Sequence, residues 1–363
     1  MNLKSAIRRI YNAVPVRIIL EPICADDGIS SRISSKKAGV MRYRVGFSDS
    51  QTSVFIGKRK SVRIILNGIR MLSEDEPGLF CMLVLHHKIF GYCGSVTRER
   101  YLYQALSQGF QSYIPHMIGF SVNLLRNESL LAMEELPSGV YEKRYLYAIL
   151  DMLARLHAQY FMDAACVKPL HLNSYSPSDY YDTRQCLLRI FQKYSDENIE
   201  IFGREQTHKI EQFIRNIRQE WSRFCDRRTL THNDCCCRNL SFSAEGFWIY
   251  DWELACYQNP EHDVAELLIS VLNQLDDSEI VSALTYYKRK FEQLSQTEMS
   301  DAEYSKILEF NTLEYCVNKL SLLRLADKKL SFGYTRQLAL NTARMLTILE
   351  DRKNKGWTEC IRN

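Results

Sequence analysis

Hydrophobic positions along this 363-residue chain change their period near residue 140. Before that point, stretches that alternate every second residue are mixed with helical ones. After it, nearly every apolar run repeats at helical spacing. Residues 3–23 alternate short apolar clusters with arginines and predict a helix followed by an extended piece. Val40–Phe47 alternates as a strand does, Ser48–Gln51 has turn composition, and Thr52–Lys60 predicts a second strand, so the two form a hairpin. Ser61 opens a helix whose Val62, Ile65, Leu66, Ile69 and Leu72 share one face, and the run Glu74–Gly78 closes it. Leu79–Phe90 is apolar around His86 and His87. Its length and its Met and Leu content favour a helix, and a strand ending at Lys88 also fits. Val96–Leu106 predicts a helix that carries Glu99. Met117–Leu125 and Ser129–Leu136 predict two strands joined by Arg126, Asn127 and Glu128, and Pro137 and Gly139 then mark a linker.

From Tyr141 onward the helical period dominates. Tyr145–Phe161, with Leu156, His157 and Ala158, predicts a strongly amphipathic helix. Asp179–Tyr194, Glu205–Cys225 and residues 263–296, 301–330 and 333–351 continue the pattern. A short strand pair is inserted at 239–251. This order predicts an α+β fold of two lobes, a small mixed β-sheet lobe over residues 1–137 and a larger, mainly helical lobe over 138–363. The length also exceeds what one small core organises.

The inserted pair lies inside the stretch with the most chemistry, Leu230–Leu268. Its first part is Leu-Thr-His-Asn-Asp-Cys-Cys-Cys-Arg-Asn-Leu-Ser-Phe, with His232, Asp234, Arg238 and Asn239 in a loop between apolar flanks. Asp234 and Asn239 are five positions apart, which lets both side chains turn toward one point. Asp234 suits a base that takes a hydroxyl proton. Asn239 offers a neutral oxygen to a magnesium shell. Arg238 either contacts transferring phosphoryl oxygens or holds the loop by a salt bridge. His232 fits a bracing role. Phe247–Tyr250 is a short apolar run, and Asp251 at its end is the natural anionic ligand for a hard cation. Glu253 either supports that shell or is solvated. Asp263, ahead of Val-Ala-Glu-Leu-Leu, fits the N-cap of the next helix.

The combination His-x-Asp-x-x-x-x-Asn, an apolar strand, Asp-Trp-Glu and an Asp at a helix mouth resembles the aminoglycoside phosphotransferase/choline kinase group of small-molecule kinases, which share the protein-kinase-like fold. The resemblance runs over roughly residues 28–270. It implies transfer of the γ-phosphoryl group of ATP, or of GTP, to a hydroxyl of a small molecule, with Mg2+ at Asn239 and Asp251. It also asks the small lobe for a lysine on the nucleotide phosphates and a glutamate to hold it. Lys58 fits best, Lys60 on the same face is the runner-up, and Lys88 serves if Leu79–Lys88 is a strand. Glu99 is the partner, and Met133, Glu134 and Glu135 face adenine, chiefly through backbone groups. Two departures stand out: only Gly28 and the Ser-rich 30–37 region stand where a glycine-rich phosphate loop belongs, and three cysteines fill the catalytic loop. They motivate the alternative of a catalytically weak nucleotide-binding protein or scaffold. A protein kinase is disfavoured, because no Ala-Pro-Glu segment follows and Asp251 precedes Trp-Glu.

Charge and composition narrow the partners. The net charge is +4, with 46% hydrophobic and 25% charged residues, the balance of an ordinary globular protein. Residues 1–70 hold fourteen Lys/Arg against four Asp/Glu, a basic face or a phosphate-receiving lobe, with no nucleic-acid motif. No stretch is apolar enough to span a membrane, no targeting segment stands out, and a soluble cytoplasmic protein is expected. The twelve cysteines form no Cys-x-x-Cys pair and no zinc spacing, so small buried side chains in a reducing compartment are expected. His157 is expected as a packed helix residue. No pattern bears on oligomeric state.

Overall fold

The computed structural model describes residues 2–23, 39–73, 76–91, 94–224, 226–355 and 357. The Gly28 and Ser30–Lys37 region expected over the phosphates lies outside them. A first helix, α1 (Leu3–Tyr11), is capped by the Asn2 side chain, which accepts from the Lys4 amide at 3.0 Å. Five strands follow as β1 (Pro15–Pro22), β2 (Gly39–Phe47), β3 (Thr52–Ser61), β4 (Met117–Asn123) and β5 (Glu128–Met133). They form one antiparallel sheet in the order β1-β2-β3-β5-β4.

The two-residue period of these strands divides the interior. Leu130 and Ala132 of β5 join Tyr43, Val45, Phe55, Ala6 and Ile7 in a small core under α1. Leu131 and Met133 point the other way, into the main core. Between β3 and β4 lie α2 (Val62–Leu72), α3 (Pro77–Leu85) and α4 (Ser95–Leu106). Leu102, Tyr103 and Leu106 of α4 close the inner face of the sheet. Ser61 caps α2 as expected, accepting from the Ile64 amide at 3.3 Å. The expected apolar face of α2 is only half used: Ile69 and Leu72 are buried, whereas Val62 and Leu66 are exposed. The apolar stretch after it is helical, but α3 stops at Leu85, and Lys88 lies in the following turn.

The sheet ends at Met133 and the helical part begins with α5 (Leu146–Gln159). The connection is fastened from below. Gly139 N–H donates to Phe242 O at 3.0 Å, and the Ser241 hydroxyl donates to Pro137 O. A Cβ at Gly139 would stand 2.2 Å from Phe242 O, so only glycine allows this approach. The helical part contains α6 (Pro177–Gln192), α7 (Ser195–Phe224, kinked at Gly203), α8 (Glu261–Val271), α9 (Asp277–Ser295), α10 (Asp301–Tyr315), α11 (Ser321–Leu330) and α12 (Thr335–Lys355). Its polar punctuation marks helix starts: Ser176 with Asp179 and Asp276 with Glu279 each form a reciprocal capping box. A π-helical turn, Cys316–Leu320, joins α10 to α11. The central stretch supplies short strands, with β6 (Thr229–Thr231) paired to β9 (Cys256–Gln258) and β7 (Leu240–Ser243) paired to β8 (Gly246–Ile249). The architecture is α+β, a small antiparallel sheet beside a larger helical part.

Candidate active site

Strand β3 turns Ile56, Lys58 and Lys60 toward the helical part, because its alternate residues, such as Phe55, fill the α1 core. The Lys58 ammonium is 7% exposed and lies 3.1 Å from Glu99 of α4, 3.0 Å from Glu253, and in contact with Asp251 Oδ1. Burial opposes its charge, but Asp251 and Glu99 outweigh that and hold Lys58 above its ordinary value. Lys60, two residues on, touches Glu253 and lies 3.7 Å from Glu99. Burial and the adjacent Lys58 charge push its ammonium down. Lys88 pairs with Asp179 at 2.8 Å instead, so β3 supplies the lysines of this cluster. Arg98, fully buried beside Glu99, donates to Gly91 O at 3.3 Å, to His171 O at 3.3 Å and to Glu253 O. It ties α4 to the segment after β8.

Asp251 follows β8 with φ 67°, in the left-handed region that Asp tolerates better than most residues. Asn233, next to Asp234, shares that conformation at φ 59°. Non-glycine residues held there cost about 1–3 kcal/mol and gather at functional sites. Asn233 is secured by its side chain, which donates to Leu254 O at 2.9 Å and accepts from Gln258 at 2.8 Å. His232 is buried, and its Nε2 is 2.9 Å from Tyr250 O, which makes that nitrogen the protonated one. Its ring meets Trp252 edge-on at 4.5 Å.

Asp263 is not the N-cap of α8. It lies inside the first turn, and Pro260 holds the cap position. Its carboxylate accepts from the amides of His232 at 2.6 Å and Asn233 at 2.8 Å, with His157 Nε2 at 3.2 Å. His157 Nδ1 in turn is 2.7 Å from Tyr287 Oη. The loop carrying Asp234 thus hangs on a buried carboxylate of the helical core.

Asp234 itself is 22% exposed and meets Lys319 Nζ of the π-turn at 2.8 Å. Burial and Glu266 raise its value, and Lys319 with Arg238 more than compensates, so Asp234 sits below the usual carboxylate range. Lys319 also donates to Asn233 O at 2.8 Å and lies 3.3 Å from Glu266. Glu266 accepts from the Cys235 amide at 2.8 Å. Behind it, His262 stands 3.5 Å from Glu266 and 3.2 Å from Glu314. Burial would discharge the imidazole, but the two carboxylates raise it to about 10. Glu314 is bonded by Tyr180 and by Asn318 at 3.1 Å. A continuous chain of alternating charges therefore runs from Asp234 into the core.

Asn239 commits its amide nitrogen to Asp234 O at 2.8 Å, which leaves Oδ1 with no hydrogen bond from the described residues. Asp251 engages Lys58 through Oδ1, and its Oδ2 is likewise uncommitted. The charge of Asp234 works against ionisation of Asp251, so the two acids are within electrostatic reach. Glu99, Asp251 and Glu253 bring carboxylate oxygens within 4.8 Å of one another. This all-oxygen donor set fits a hard divalent cation such as Mg2+.

Arg238 makes no ion pair with a described residue. Its guanidinium lies over the Tyr334 ring, 4.2 Å from the centroid, so the salt-bridge expectation gives way to cation–π stacking. Cys235 and Cys236 are buried and Cys237 half-buried. Burial pushes the Cys235 and Cys236 thiols up, Cys236 to about 12, which argues against activated nucleophiles. Cys81 and Cys166 are exposed, contrary to the expectation of burial throughout. At the linker, Glu134 uses its side chain on the His116 amide (2.7 Å) and its own amide on His116 O (3.0 Å). Glu135 pairs with Arg42. Met133 is buried at the end of β5.

Sequence patterns did not single out Lys319, Arg98 and Glu266, and they misplaced Asp263 at a cap. A signal existed for three of the four. Asp263 and Glu266 are one helical turn apart in an otherwise apolar helix, and Asn318-Lys319 interrupts an apolar run. Polar residues inside an apolar face need partners.

A small antiparallel sheet set over a helical part, with charges converging between the two, is the architecture of a kinase-like phosphotransferase. The sequence pattern of the phosphotransferase enzyme family (APH) matches residues 86–296, more than half the chain, and the chain belongs to that family. Solved structures agree on the fold. A choline kinase from Cryptosporidium parvum Iowa II is 10% identical, with 94% of this chain and 91% of that one covered and a TM-score of 0.52. A candidate aminoglycoside phosphotransferase from Ralstonia eutropha is 15% identical over 94% and 96%, with a TM-score of 0.51. LicA in complex with AMP is 13% identical over 95% and 96%, with a TM-score of 0.50. No curated protein matches the chain at the sequence level. No helix of the described residues is long and apolar enough to cross a membrane.

Proposed function

We propose that this phosphotransferase moves the γ-phosphoryl group of ATP to a hydroxyl of a small molecule. The observation that carries the reading is Lys58, a buried ammonium that bridges Glu99 of the sheet side to Asp251 of the central stretch, while Asp234 stands within reach of Asp251. A lysine held in this way donates to nucleotide phosphate oxygens. Asp234, kept ionised by Lys319, takes the proton of the acceptor hydroxyl as its oxygen attacks phosphorus. Asn239 Oδ1 and Asp251 Oδ2 are the oxygens that would hold Mg2+, with Glu253 beside them. The cation would neutralise charge on the phosphates when bound. His232 and Asp263 fix the loop that presents Asp234. Adenine would lie against Met133, with Glu134 and Glu135 contributing through the backbone, since both side chains are engaged elsewhere.

Two findings support the reading: membership of the family carries phosphoryl transfer, and LicA, a neighbour of like fold, was solved with AMP. The test is calorimetric binding of ATP with Mg2+ and with EDTA. The expected outcome is metal-dependent binding that Asp251→Ala reduces to its EDTA level. Equal affinity for wild type and variant under both conditions would sink the assignment of Asp251.

A further inference from the structure

Arg238 is a half-buried cation whose guanidinium forms no ion pair and no hydrogen bond with a described residue. A guanidinium presents five N–H donors in a planar fork suited to carboxylate and phosphate oxygens. Here the fork is held in place rather than satisfied. Tyr334, stacked on Phe332 at 5.3 Å, supplies the platform on one face. The Arg238 carbonyl is fixed by the Tyr250 hydroxyl at 2.7 Å, which anchors the backbone beneath it.

The surroundings of Arg238 differ from those of Lys58. The Arg238 charge acts on Cys236, Tyr334, Asp234 and Tyr315. The Lys58 charge acts on Asp251 and Tyr103. The two cations thus have different neighbours, and Asp234 is among those of Arg238. Lys319 adds positive field on the Arg238 side, as Cys236 and Tyr315 feel both cations. Lys319 spends its donors on Asp234, Asn233 O and Glu266. Arg238 is therefore the group with N–H donors to give. We infer that the acceptor carries an anionic group, a phosphate or a carboxylate, close to the hydroxyl it offers, and that Arg238 holds that group beside Asp234. The inference rests on the phosphotransferase reading above and deepens it by naming the acceptor class. Phosphoryl oxygens of the nucleotide share this chemistry, and the test below separates them from an anionic acceptor.

Two measurements test it. In the first, inorganic phosphate is titrated by calorimetry into protein saturated with Mg2+ and AMP-PNP. Phosphate is expected to bind to this complex. Arg238→Gln is expected to weaken it by about 10- to 100-fold, the scale of a lost charge-assisted hydrogen bond. AMP-PNP affinity and melting temperature should stay unchanged, and Arg238→Lys should recover part of the loss. In the second, ADP release from ATP is followed with matched acceptors: glycerol against glycerol 3-phosphate and glycerate, glucose against glucose 6-phosphate and gluconate, and choline as a cation. Anionic members are expected to be preferred, with the preference lost in Arg238→Gln. Any of three results overturns the proposal. One is phosphate that competes with AMP-PNP but not with ADP, which would assign Arg238 to the γ-phosphoryl group. Another is wild-type phosphate binding in Arg238→Gln. The third is a preference for choline or the neutral acceptors. Should AMP-PNP not bind at all, the kinase reading fails, and Arg238-dependent phosphate binding to the nucleotide-free protein would still support an anion site.

Discussion

Lys58 and Lys319 each bring an ammonium against a carboxylate of the central stretch, from different parts of the fold. Lys58 comes from strand β3, and its partners Glu99, Asp251 and Glu253 belong to α4 and to the segment after β8. That cluster exists only while the sheet and the helical part are apposed. Lys319 comes from a π-turn, and its partners Asp234 and Glu266 lie within the helical part. Behind them His262, Glu314 and Tyr180 extend the pairing into the core. Such π-turns inside helices often mark functional sites. The difference teaches that the groups proposed to face the nucleotide are assembled across a junction, whereas the groups proposed to face the acceptor are preset by one core. Replacements on the first side should change ligand binding, and replacements on the second should change stability and turnover.

The sharpest way to break that contrast is Asp234→Asn. Turnover with any accepted hydroxyl compound should fall by ~10²–10⁴-fold, the range of a lost general base, while calorimetric affinity for AMP-PNP stays at the wild-type value. Retained turnover would remove Asp234 from the chemistry.

His262→Gln probes the core behind it. At pH 6 the variant should lose about 3–5 kcal/mol in urea denaturation, because one partner of a buried charged set is gone. The sign with pH follows from the raised value of about 10, above the ordinary 6.5. The stabilisation is complete below 6.5, declines as pH rises, and is lost as pH passes about 10. The gap between wild type and variant should therefore shrink from pH 6 to pH 10, and a constant gap would contradict the charged state of His262.

Lys58→Met against Lys60→Met sharpens the other side. Lys58→Met should weaken AMP-PNP binding by about 10- to 100-fold, the loss of a charge-assisted bond, and Lys60→Met by less. The reverse order would make Lys60 the phosphate lysine.

The smallest effect concerns the cysteines. Iodoacetamide at pH 7, read by mass spectrometry, should modify the exposed Cys81 and Cys166 before the buried Cys235 and Cys236. First labelling at Cys236 would mean an activated thiol beside Asp234.

Much of the fold was legible because strands and amphipathic helices write their own periods. Val40–Phe47 and Thr52–Lys60 paired as the hairpin their alternation predicts. Ser61, at the junction of strand and helix, formed the cap its side chain suits. The shorter limits escaped. Helix α3 stopped at Leu85 although the apolar run continues to Phe90, because an apolar segment carries no stop signal of its own. Val62 and Leu66 share a helical face with Ile69 and Leu72, yet nothing packs over them enough to bury them. The spacing of Asp234, Asn239 and Asp251 was readable because a loop and the end of a strand bring neighbouring sequence together.

By itself, then, the sequence determined the α+β order of elements, the loop that carries Asp234 and Asn239, and Asp251 at the end of a short strand. Local period and turn chemistry act over a few residues, and these features need no more. Only the tertiary structure decided that Lys58 and Lys60, and not Lys88, meet Glu99, that Asp263 accepts from the loop amides, and that Lys319, eighty-five positions after Asp234, pairs with it. It also decided that Arg238 stacks on Tyr334 and makes no ion pair with a described residue. The reason is physical. A charge chooses its partner by distance and burial, and both are set by packing between elements far apart in the chain.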